Sequence, residues 1–123
     1  MIKEKTEKGT GVLTGAIIDG IREKKGYDIV ILDLSKIENA VCSTFVICHG
    51  TSDTQVGAIA DSIFDIVKKN TGQSPWHKEG YQNSDWILLD YVDVVVHVFN
   101  LDTRKFYNLE GLWADAEKRI IND

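Results

Sequence analysis

The sequence predicts one α/β domain over residues 1–123, a mixed β-sheet of about five strands with flanking helices. Three observations carry that expectation. Ile29–Leu34 and Thr44–Cys48 are short, β-branched and almost wholly apolar, the composition of buried strands. A capped amphipathic helix begins at Ser52, after a strand and before further strands, so a βαβ crossover and some parallel pairing follow. Trp86–Leu89 and Val94–Phe99 then read as a hairpin.

Taken in order, residues 1–9 are mostly Lys, Glu and Thr, after which Val12, Leu13, Ala16, Ile17 and Ile21 recur at helical spacing up to Lys24–Lys25–Gly26. Gly26 is the expected stop, and the basic last turn suits the negative end of the helix dipole. A polar connection, Ser35–Asn39, separates the first two strands. Ser52 with Gln55 forms a capping box, Val56, Ile59, Ala60, Ile63, Ile66 and Val67 share one face, and Asn70–Thr71–Gly72 ends the helix. A short segment, Trp76–Tyr81, follows Pro75. Leu109, Leu112, Trp113, Ala116, Ile120 and Ile121 lie at helical spacing, so Asp102–Asp123 is expected to close the chain as one helix on the sheet.

Composition removes several classes of function. With 43% hydrophobic and 27% charged residues the chain is an ordinary globular one, and its formal net charge of −5 has the wrong sign for affinity gained by neutralising phosphates. Direct reading of nucleic acid and binding to anionic membrane are therefore not expected. No apolar run approaches the roughly 20 residues of a membrane helix, and Met1–Lys8 lacks the apolar stretch of a signal peptide, so a cytoplasmic protein is expected. Cys42 and Cys48 match no zinc or redox spacing and read as reduced core residues.

The hairpin carries the first functional signal. A four-residue connection, Asp90–Asp93, gives a register in which Leu88 faces Val95 and Trp86 faces His97. Ile87, Leu89, Val94, Val96 and Val98 then form an apolar face, while Trp86, Leu88, Asp90, Asp93, Val95 and His97 share the other. A Trp, two carboxylates and an imidazole on one face suit an aromatic anchor with an acidic rim for a basic protein partner. Equally, a covering helix turns Trp86 into core and His97 into a hydrogen-bonded interior histidine.

Chemistry is hard to find elsewhere. Gly9–Thr10–Gly11 has no preceding strand and no following Lys-Ser/Thr, the serines lack a nucleophile elbow, and Cys48 and His49 point oppositely as strand neighbours. Cys42, Cys48, His49, His77 and His97 show no zinc-ligand spacing, so neither a metal nor another cofactor is expected. The alternative is a divalent-metal-dependent nucleotidyl- or phosphoryl-transfer enzyme using Asp33, Glu79 and Asp90 near strand ends. Turn chemistry accounts for Asp90 and Asp93 without it.

Asp28–Asp33, Phe45–Gly50, Ser52 with Gln55–Val56, Glu79–Gly80, Asp85–Asp90, Asp93–Phe99 and Arg104–Trp113, in that order, resemble the ribosomal silencing factor (RsfS, or Iojap-like) family over roughly the whole chain. The resemblance implies a nucleotidyltransferase-like outline without that activity, and a translation repressor. Such a factor binds the fourteenth large-subunit ribosomal protein at the intersubunit face, blocks subunit joining and is commonly a homodimer. Carried over by motif, Trp86, Ile87 and Asp90 are the contact candidates, joined by His97 from the register. The pleat turns Ile87 toward the core. Tyr107, Leu109, Glu110 and Trp113 match the family's closing segment and are expected to dock the last helix. Val92 stands where the family usually has Gly, so this turn is expected to avoid positive φ.

Overall fold

A computed structural model describes the backbone of residues 2–121 and the side chains of residues 11–121. Its elements are α1 (Ile2–Glu23), β1 (Tyr27–Asp33), β2 (Thr44–Gly50), α2 (Asp53–Thr71), β3 (His77–Glu79), β4 (Trp86–Asp90), β5 (Val94–Asn100), α3 (Leu101–Tyr107), α4 (Leu109–Leu112) and β6 (Glu117–Ile120). The six strands form one sheet in the order β3-β4-β5-β2-β1-β6. β2 and β5 pair in parallel at its centre, the crossover that the capped helix implied, and the remaining pairs are antiparallel.

Period-two alternation sorts the strands between two apolar layers. Ile29, Ile31, Val46, Cys48, Ile87, Leu89, Val94, Val96 and Val98 pack beneath α1 and α2. Val30, Leu32, Phe45, Ile47, Val95 and Phe99 face the other way. The helices meet closely because Gly20 has no side chain: a Cβ there would lie 2.7 Å from the Ile63 Cα. Ser62 Oγ donates to the Gly20 carbonyl at 2.8 Å in the same contact.

Ser52 caps α2 as its sequence predicts, its Oγ accepting from Gln55 N–H at 3.1 Å. The Gln55 side chain reaches back one residue further than a capping box, its Oε1 accepting from Thr51 N–H at 2.8 Å. Its Nε2 donates to the carbonyls of Lys24 and Lys25 at 3.3 Å, fastening the end of α1 to the start of α2. The left-handed residue that ends α1 is Lys25 at φ 58, not Gly26. Gly26 is required for another reason, since a Cβ there would press on Ile21 Cγ2.

The closing helix does not form. Asn108 turns left-handed at φ 44, ending α3 and capping the single turn of α4, and the chain then runs extended as β6 against β1. Helical spacing overlooks a long-range demand: without β6 the outer edge of β1 would hold unpaired backbone beside a buried apolar strand. Leu109 and Trp113 still pack on the sheet. Met1, Asn122 and Asp123 lie outside the described residues. No helix among the described residues is long and apolar enough to cross a membrane.

Candidate functional site: an aromatic patch at the β4 side of the sheet

The hairpin pairs two residues away from the expected register. Leu88 pairs with His97, Trp86 with Phe99 and Asp90 with Val95, because the turn is closed by Tyr91 N–H donating to the Val94 carbonyl rather than by a connection over Asp90–Asp93. A shift of two in pairing leaves the faces unchanged, so Trp86, Leu88, Asp90 and His97 do share the side away from α1 and α2.

The turn has a strained centre. Asp93 N–H donates to the Tyr91 carbonyl at 3.0 Å across Val92, whose φ is 74, which is a γ-turn of the rare positive-φ kind. Contrary to the expectation for a β-branched residue, Val92 therefore adopts a positive φ. Asp90 makes this tolerable: its Oδ1 accepts from Val92 N–H at 2.7 Å. The Asp93 carbonyl in turn accepts from Ser43 and Thr44 N–H, anchoring the tip to the start of β2.

Trp86 is half-buried, its ring centroid 4.9 Å from both Phe99 and Tyr107. Its Nε1 donates to His97 Nδ1 at 3.1 Å, a diagonal contact across the two strands. An indole N–H can only donate, so His97 is neutral and carries its hydrogen on Nε2. That Nε2 is buried without a hydrogen-bond partner among the described residues, and the ring meets Phe45 edge-on at 4.6 Å. Burial holds the imidazole down to about 4 from its ordinary 6.5. Gly80, at φ 94, lies against the Trp86 carbonyl where no Cβ fits, which fixes the strand from its other side.

Four residues thus separate by position. Trp86 and Asp90 present partly accessible side chains at the two ends of β4. His97, 4% exposed, lies beneath the indole and orients it. Ile87 is fully buried beneath the helices, so its side chain holds the strand rather than facing a partner. Among the closing residues, Leu109 and Trp113 dock on the sheet and Glu110 pairs with Arg104 at 2.9 Å. Tyr107 does not dock: it is 53% exposed and extends the Trp86 patch, with exposed Phe106 beside it at 5.1 Å. The unbroken helical stripe conceals this, since the break at Asn108 is what turns Tyr107 outward from the stripe.

The alternative acidic trio is scattered. Asp33 on β1 and Glu79 on β3 stand four strands apart, about 19 Å at the usual inter-strand spacing, and Glu79 pairs with His77 at 3.2 Å. Asp33 accepts from Ser35 N–H and Oγ, which hold its carboxyl below the ordinary range. Among the described residues no three His, Cys, Asp or Glu side chains gather closely enough to hold a metal. Both cysteines are free thiols, and burial pushes Cys48 up to about 12.

Comparison with known proteins agrees with this architecture. Residues 8–123 match a family model described as "Ribosomal silencing factor during starvation". Ribosomal silencing factor RsfS of Bacillus subtilis is 48% identical over 94 residues, covering 76% of this chain and 78% of that protein. The chloroplastic protein Iojap of Zea mays is 36% identical over 72 residues, 58% of this chain and 31% of its own. A crystal structure of a Chromobacterium violaceum protein superposes with a TM-score of 0.77 at 31% identity, covering 90% of this chain and 91% of the other. The chain belongs to the ribosomal silencing factor family.

Proposed function

We propose that the chain is a non-catalytic steric repressor of translation. In this reading the Trp86 face docks on a basic patch of the fourteenth large-subunit ribosomal protein, at the intersubunit face, and the bulk of the domain excludes the small subunit. Family membership supports the ribosome as target, and one observation supports the face: a half-buried tryptophan held in one orientation by a buried histidine, on β4, whose side chains on this face stay partly accessible where the rest of the face is covered. Trp86 and Tyr107 supply the aromatic anchor. Asp90 and Asp93 supply negative charge at the strand end, which speeds encounter with a basic partner. Ile87 and His97 support the anchor from below. The protein acts in the cytoplasm and as a homodimer, in keeping with the family resemblance, and needs no cofactor.

A desolvated tryptophan anchor contributes about 2 kcal/mol or more, roughly thirtyfold in affinity. The test mixes the protein with purified ribosomal subunits and measures co-sedimentation with the large one and the yield of joined particles. Trp86→Ala is expected to weaken binding about thirtyfold and restore joining, whereas Asp90→Asn mainly slows association at low salt. If Trp86→Ala retains its circular dichroism spectrum and still binds large subunits like the parent, the anchor is misassigned.

A further inference from the structure

A concavity of about 590 Å³ opens among β1, β6 and the α3–α4 segment. Arg104 and His49, only 8% and 5% exposed, line it together with Tyr27. Arg104 Nε donates to Glu110 Oε1 at 2.9 Å, and Nη1 donates to His49 Nδ1 at 2.8 Å and to the Tyr27 carbonyl at 3.5 Å. A guanidinium has no acceptor, so His49 accepts on Nδ1 and keeps its hydrogen on Nε2. Burial first, and then the Arg104 charge, hold His49 below the ordinary histidine range.

Two donors are left over. The His49 Nε2–H and the Arg104 Nη2 group bond to none of the described residues, yet neither is among the polar atoms sealed from solvent. Lys105 and Lys118 line the same opening. Together with Arg104 they set three cations against two carboxylates, Asp28 and Glu110, and Glu110 is already engaged by Arg104 and, at 3.6 Å, by Lys118. Among the described residues the lining of the cleft is thus net positive in a chain of net charge −5, and a concave positive site concentrates anions. Tyr27 stacks on His49 with centroids 5.6 Å apart and planes 22° from parallel, and its ring is exposed. An exposed aromatic beside convergent donors accepts a planar base, because every base has a π face. The volume lies in the range of small-ligand sites.

We propose that this cleft binds a nucleoside phosphate, its phosphate oxygens taken by His49 Nε2–H, Arg104 Nη2 and the two lysines, and its base stacked on Tyr27. The site is separate from the Trp86 patch but shares α3 with it, since Arg104 and Tyr107 both stand on that helix.

The test titrates the isotope-labelled full chain with ADP, GDP, adenosine and inorganic phosphate near neutral pH and low salt, following amide and histidine resonances. ADP or GDP is expected to give saturable shifts at Tyr27, His49 and Arg104, with affinity at least about tenfold above that of phosphate or adenosine alone. The double variant Lys105→Ala/Lys118→Ala, altered only at exposed positions, is expected to lose about tenfold. Tyr27→Ala is expected to bring the nucleotide down to the affinity of phosphate. No saturable shift up to about 5 mM nucleotide, phosphate binding as tightly as nucleotide, or an unaffected double variant overturns the assignment.

Discussion

Acid is expected to release the tryptophan through the histidine beneath it. His97 is surrounded by Trp86, Phe45 and Phe99, none of which carries charge, and desolvation alone holds its native titration near 4. The unfolded chain titrates near 6.5, so below that pH it takes up a proton that the native state refuses. Stability from this group is complete above pH 6.5 and declines as pH falls toward 4, and the integrated loss is roughly 3 kcal/mol. Protonation also converts Nδ1 from acceptor to donor, so the indole N–H loses its partner. Urea melts across this pH range should show the parent losing about 3 kcal/mol more than His97→Gln, which cannot take up that proton. His49 titrates in the same direction but is present in both proteins, and cancels. Equal slopes for parent and variant, or an NMR midpoint for His97 at 6 or above, would refute the reasoning.

Three further substitutions test the backbone and the packing. Val92→Gly removes strain of about 1–3 kcal/mol at a positive-φ centre and sacrifices little burial, since Val92 is 60% exposed; after glycine's greater unfolded-state entropy, a net gain near 1 kcal/mol is expected in urea unfolding. Gly20→Ala forces a methyl to 2.7 Å from the Ile63 backbone and should cost about 1–3 kcal/mol by parting the helices. Gly15→Ala, in the same helix with open space around it, should instead stabilise by about 0.5–1 kcal/mol, and thermal melts of the two will have opposite signs.

What the sequence disclosed follows the range of the interactions involved. The split of β4 and β5 into an apolar and a mixed face was readable because pleat period depends only on neighbouring residues. The pairing partner of Trp86 was not, because it depends on the turn, where Asp90 Oδ1 and the Tyr91–Val94 bond shift the pairing by two residues. The Ser52 cap was local and legible; the Gln55 bonds to Lys24 and Lys25 join separate helices and were not. Leu109, Trp113 and Ala116 did pack on the sheet as their apolar character requires, but through a broken segment, and so Tyr107 emerged as a patch residue instead of a docking one.

The position of β5 also orders events during synthesis. Thr44 finds its partner Val94 fifty residues later, and β1 receives its outer neighbour only when Glu117–Ile120 has emerged. Pairings of such sequence separation form slowly, because the intervening loop must be closed before any contact rewards it. A nascent chain halted at Trp113 would thus carry a bare β1 flank able to zip onto another copy, and Glu117–Ile120 replaces that apolar flank with a short edge strand carrying three charged side chains, a poorer template for edge-to-edge pairing.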